Sequence, residues 1–304
     1  MAKYKPATKE ELKLLAQDEA VYLIDIDVSL ITDMSNLFYE SKRKNFSGIE
    51  TWNVSNVTNM INMFYNTKYF NQPIGNWNVS NVENMIGMFS GADNFNQSIG
   101  NWDVSKVKNM SYMFEGAENF NQDISNWDVA NVEDMTGMFA GAEKFNQPIG
   151  NWDVSRVKDM YAMFWDAINF NQNVGSWNVS HVKNMTYMFF NTERFNQPIG
   201  NWNVANVIDM SYMFAGSRNF NQPLNEWSVS KVKNMSSMFK FALAFNQPLN
   251  NWDVSNVTDM SYMFSDASNF NQDINKWSIK PYATIPSMFD NSPLSANPPI
   301  WYHK

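Results

Sequence analysis

The stretch IGNWNVSNVENMIGMFSGADNFNQ, residues 74–97, contains two apolar spacings in succession. Trp77 and Val79 are two apart, with Asn76, Asn78 and Ser80 beside and between them. That alternation is the pattern of a half-buried strand. Val82, Met85, Met88, Phe89 and Ala92 then fall three or four residues apart, the spacing of one helical face. Phe95 follows in a return segment and precedes Asn96-Gln97. The spacing predicts a short strand, a short helix and a loop. One such unit cannot bury its own apolar face, so copies must stack.

The copies are present. Trp52, Trp77, Trp102, Trp127, Trp152, Trp177, Trp202, Trp227, Trp252 and Trp277 recur every 25 residues. Ile26, Val28, Ile31, Met34, Leu37 and Phe38 form a degenerate first turn. Tyr282, Ile285, Met288 and Phe289 continue the last one, with Pro281 and Pro286 intruding. The expected fold is an α/β, right-handed, leucine-rich-repeat-like solenoid of about eleven turns. Each turn would carry one short parallel strand and one short helix. Residues 24–290 form the solenoid as a single domain, 1–23 an N-terminal capping helix and 291–304 a C-terminal cap. Thr8-Lys9-Glu10-Glu11 has the capping-box spacing, and Leu12, Leu15 and Ala16 give that helix an apolar face. Trp301, 24 residues after Trp277, closes the other end.

Composition narrows the function. The net charge is −8, with 22 Lys+Arg against 30 Asp+Glu. An acidic chain lacks the footprint of a nucleic-acid binder. Cysteine is absent, which removes thiolate metal sites and cysteine nucleophiles. His181 and His303 are the two histidines, scant material for a His base. No apolar run reaches membrane-spanning length, and Met1 to Ala20 carries no export signal. Repeated Met, Trp and Phe are core columns, and Asn71 to Asn271, each after a Phe, predict a buried amide ladder. No cofactor and no metal are expected.

Repeated "NWDVSNVTDMSYMF" and "FNQPIGNW" resemble the BspA-like leucine-rich-repeat family of bacterial surface proteins. That resemblance implies a surface-exposed scaffold with adhesion or partner binding, and a cell-surface location. The missing export signal points instead to the cytoplasm. The expected function is a non-enzymatic protein-interaction scaffold with an unidentified protein partner. The alternative is an intracellular inhibitor, immunity or assembly factor using the same surface.

Two faces compete for the partner. One is a polar strip on the inner, concave side: Asn76, Asn78, Asn101, Asp103, Asn126, Asp128, Asn151 and Asp153. Asp103, Asp128 and Asp153 stand in one column. Carboxylates roughly 5 Å apart repel by about 1 kcal/mol even in water. A bound cation or raised pKa values would relieve this. The spacing also resembles a retaining glycosidase pair, a reading set aside because a repeat generates the column. The other face is an aromatic patch on the helix positions: Trp165 and Phe190, with Tyr161 and Tyr187, and Tyr212 and Tyr262 nearby.

Overall fold

The computed structural model describes residues 2–302. His303 and Lys304, the end of the expected C-terminal cap, lie outside them. The chain divides into two compact units, Met1–Pro148 and Ile149–Lys304. Both are built from the same turn.

The first unit opens with helix α1, Lys9–Gln17. Thr8 Oγ1 accepts from the Glu11 N–H at 3.2 Å, and the Glu11 carboxylate accepts from the Ala7 N–H at 2.7 Å. This is the expected box, shifted by one residue at its return bond. Leu12 and Ala16 are buried and Leu15 half-buried. Ahead of α1, Tyr4 bridges to Ile26 in parallel. Lys9 reaches the Asp33 carboxylate at 3.2 Å and the Ser35 hydroxyl.

Within each turn the Trp–Val alternation holds. Trp77 and Val79 are buried while Asn78 is exposed. However, this segment joins no ladder, so the expected strand is displaced. The parallel bridges fall seven residues after each Trp, as in Asn59↔Asn84 and Asn84↔Asn109. The expected repeat helix is also absent. Among the described residues α1 is the only α-helix. Val82, Met85, Met88, Phe89 and Ala92 are buried as read, but in a ribbon of tight turns.

The hydrogen bonds explain the ribbon. Met60, Asn62, Phe64 and Asn66 donate to the carbonyls of Asn84, Ile86, Met88 and Ser90 in the next turn, at 2.7–3.0 Å. The N–H groups between them close local turns: Met63 to the Met60 carbonyl, Tyr65 to Asn62, Thr67 to Phe64. Asn62 and Asn66 have φ of 50° and 51°, as the third residue of a type II turn requires. In the second unit Tyr187 and Asn191 repeat this at 59° and 50°. Four bonds between neighbouring turns thus share one direction. A bond such as Glu83 N–H to the Thr58 carbonyl runs back.

The core is a set of columns. In the first unit Trp102 and Trp127 stack at 6.4 Å and Phe89 lies on Phe95 at 4.0 Å. In the second, Trp177–Trp202 and Phe189–Phe195 repeat both distances. Each buried indole needs a partner for its N–H. Trp102 Nε1 donates to the Ile74 carbonyl at 3.2 Å, and Trp202 Nε1 to Val174 at 3.0 Å. The amide ladder forms as well, half-buried rather than buried. Asn96 Oδ1 accepts from the Asn121 N–H and Gln122 Nε2, and Asn221 Oδ1 from Asn246 and Gln247. Each unit is therefore a solenoid of stacked 25-residue turns.

The end of the second unit is sealed partly as read. Trp301 stacks on Trp277 at 6.2 Å and bonds the Ile274 carbonyl, while Tyr302 packs edge-on against Phe289. Tyr282, read as apolar-facing, is exposed.

Candidate functional site

The polar strip is exposed where the sequence places it. In the first unit Asn76, Asn78, Asn101, Asp103, Asn126 and Asp128 face solvent; in the second, Asn151 and Asp153 do. The residues after each Trp are engaged within their own turn. Asn78 Oδ1 accepts from the Ser80 N–H and hydroxyl at 3.1 and 2.7 Å. Asp103 accepts from the same groups of Ser105 at 3.1 and 2.6 Å. Asp128 accepts from the Ala130 N–H, and Asp153 from the Ser155 N–H. These are Asx turns, in which a short side chain mimics a backbone bend.

That arrangement corrects the expected electrostatics. The serine hydroxyl and N–H hold Asp103 and Asp153 below the ordinary carboxylate range rather than above it. Each carboxylate is already stabilised by its own turn. Among the described residues no group of three His, Cys, Asp or Glu side chains is placed to hold a metal. His181 is exposed.

The aromatic patch assembles in the second unit. Trp165 stacks on Tyr187 at 5.5 Å and meets Phe190 edge-on at 5.8 Å. Tyr161 meets Tyr187 edge-on at 5.9 Å. Tyr212, also expected nearby, joins the patch, stacked on Tyr187 at 4.6 Å, whereas Tyr262 lies against Lys240. All five rings of the patch are half-buried. Trp165 Nε1 is shut off from solvent with no hydrogen-bond partner. Burial raises the Tyr187 phenol pKa, with Tyr212, Tyr161 and Asp209 adding to it. These residues sit in the turn ribbon, not on the helices first read there. Tyr187 and Tyr212 have φ of 59° and 57°, an unusual conformation for bulky side chains.

The model of the family described as "Mycoplasma protein of unknown function, DUF285" matches residues 17–123, 94–200, 118–221 and 186–301. The chain belongs to that family. No curated protein matches it. Among solved structures, the crystal structure of a TLR13–ssRNA13 complex is similar at 12% identity and a TM-score of 0.32. That alignment covers 93% of this chain and 47% of the other, so this DUF285 chain spans about half its length.

Two features of the DUF285 turn escaped the sequence reading. Fourteen residues after the Trp stand Asn66, Gly91, Gly116, Gly141, Asp166, Asn191, Gly216, Asp266 and Asn291, the residue types that tolerate positive φ, with Phe241 the exception. That column was a legible signal against a helix. Arg43 was the second. It is buried, and its guanidinium donates to the carbonyls of Ala16, Asp18, Val21 and Asn45 at 2.7–3.0 Å. It ties α1 to the first turn. No spacing rule marks such a residue.

Proposed function

We propose that this chain is a non-enzymatic scaffold that binds a protein partner through the aromatic face of the unit 149–304. One observation carries the reading: the turn does not need these aromatics. The positions of Trp165 and Phe190 are filled by Ser90, Glu115 and Ala140 in other turns, and those of Tyr187 and Tyr212 by Gly87 and Gly137. Placing tyrosine where glycine fits costs roughly 1 kcal/mol per site. Tyr112 and Tyr262 share the positive φ of Tyr187 and Tyr212 outside the cluster, so it is the gathering of half-exposed rings, not the strain, that favours a use beyond packing. The polar strip supports binding less strongly, because its side chains after each Trp are occupied within their own turns. The same occupation supports the non-enzymatic reading, since Asp103 and Asp153 are held as carboxylates and are poor proton donors.

The adhesion role implied by the BspA-like resemblance and an intracellular inhibitory or assembly role both use this face. They differ in where the partner resides. Capture from bacterial lysate and from host-cell extract, run with three folded proteins, tests the reading. The proteins are the wild type, Trp165→Ala/Phe190→Ala and Asp103→Lys/Asp128→Lys/Asp153→Lys. A partner lost only with the aromatic pair is the expected result. A partner lost only with the aspartate triple moves the site to the strip.

A further inference from the structure

We infer that the aromatic face receives a cationic side chain, a lysine or arginine of the protein partner; this rests on the reading of that face as the binding site. The unit itself supplies the precedent. Thirteen residues after Trp227 stands Lys240, the position that Trp165 and Phe190 occupy in their own turns. Its Nζ lies 5.1 Å from the ring centre of Tyr262 and 5.4 Å from that of Phe241. Tyr262 is the counterpart, ten residues after its Trp, of Tyr187 and Tyr212. An ammonium over a ring face at such distances is an attractive cation–π contact.

Where Trp165 and Phe190 replace that lysine, no cation–ring contact is present among the described residues: such contacts fall on Tyr69, Phe241, Tyr262 and Tyr282, and on none of the five clustered rings. Carboxylates flank the cluster instead. Asp166 follows Trp165 and donates its N–H to the Phe190 carbonyl at 2.8 Å. Asp159 Oδ1 accepts from the Tyr161 N–H at 2.8 Å. Asp209 lies three residues before Tyr212 and near enough to act electrostatically on Tyr187. Like the strip's aspartates, Asp159 and Asp209 accept hydrogen bonds from their own and neighbouring turns, but these neutral donors leave their negative charge in place. Ring faces beside carboxylates, on a chain of net charge −8, are complementary to a basic group.

The test uses the full chain and two capped octapeptides, alternating Gly-Arg and alternating Gly-Glu, titrated calorimetrically at about 150 mM salt. The Gly-Arg peptide is expected to bind and the Gly-Glu peptide not to. Asp166→Asn/Asp209→Asn is expected to weaken the Gly-Arg peptide roughly tenfold. Asn occupies the equivalent positions at Asn191, Asn184 and Asn234, so this variant keeps the turn. Trp165→Leu is expected to weaken it at least as much. Asp103→Asn/Asp128→Asn, in the other unit, is expected to leave it unchanged. Equal losses from both aspartate pairs mean diffuse attraction to an acidic surface and overturn the inference, as does a Gly-Arg peptide that fails to bind. If the peptide fails while a captured partner is still lost with Trp165→Ala/Phe190→Ala, the inference falls and the binding face stands. If the aromatic pair leaves capture unchanged, the face itself is wrong.

Discussion

At the scale of single residues, the indole does two jobs in every turn. Trp202 fills the apolar column on Trp177 and Trp227 and returns a hydrogen bond to the Val174 carbonyl. Trp202→Ala therefore opens a cavity and leaves a buried carbonyl without its partner. We expect a loss of about 3–5 kcal/mol in chemical denaturation. Trp202→Phe should recover part of the packing and none of the bond. A shift no larger than that of the exposed Lys233→Ala would refute the core role. Asp27 gives a separate prediction in acid. The Ser29 hydroxyl, then Lys5, hold its pKa at about 2, below the usual 3.8. The folded state thus binds this proton more weakly than the unfolded chain does. The stabilisation is complete above the unfolded value and disappears as pH falls through about 2. Asp27→Asn should reduce the slope of stability against pH between those limits, read from denaturation series at fixed pH.

At the scale of the element, the turn ribbon shows why the sequence was only partly legible. Apolar spacing identifies what is buried, and Val82, Met85, Met88, Phe89 and Ala92 all are. It does not identify the backbone, because residues three or four apart also share a side in consecutive tight turns. The deciding marks were Gly91, Gly116 and Gly141, destabilising in a helix interior and suited to positive φ. The aromatic cluster was legible. Trp165, Phe190, Tyr161, Tyr187 and Tyr212 do meet, whereas Tyr262 packs against Lys240. The raised carboxylates expected of the Asp column failed because Ser105 and Ser155 stabilise the charged form. Gly216 makes the turn geometry testable. It has φ of 72°, and an added Cβ would overlap Asn191 Oδ1. Gly216→Ala should destabilise by roughly 1–2 kcal/mol from the backbone alone, plus the overlap. Pairing it with Asn191→Gly should restore only the overlap part. Equal stability of wild type and Gly216→Ala would contradict the assigned conformation.

At the scale of the whole molecule, a stack of turns needs its ends closed. In the first unit α1 covers the opening turn through Leu12 and Ala16, and Arg43 holds the end of the helix by the carbonyls of Ala16 and its C-cap Asp18. Deleting residues 2–20 removes the lid and leaves Arg43 a buried charge without the Ala16 and Asp18 acceptors. The shortened protein should scatter light at concentrations where the full chain does not, since an uncovered terminal turn exposes apolar columns. Unchanged scattering would count against the cap.

The one-way hydrogen bonds between turns carry an electrical consequence. In the first unit, four peptide groups per turn point their N–H toward the following turn and their acceptors back toward the start, against one or two backbone bonds per turn in the opposite sense, such as Lys108 to Glu83 and Asn119 to Asp93. Peptide dipoles so aligned add along the stack, as they do in a helix, and leave partial negative charge on the opening turn. That is the turn met by the Lys9 ammonium, and the Arg43 guanidinium lies beside it. The N-terminal segment is thus a positive terminal on a polarised column as well as an apolar lid. A replacement cap built from neutral side chains would cover the phenylalanines and leave that field unopposed.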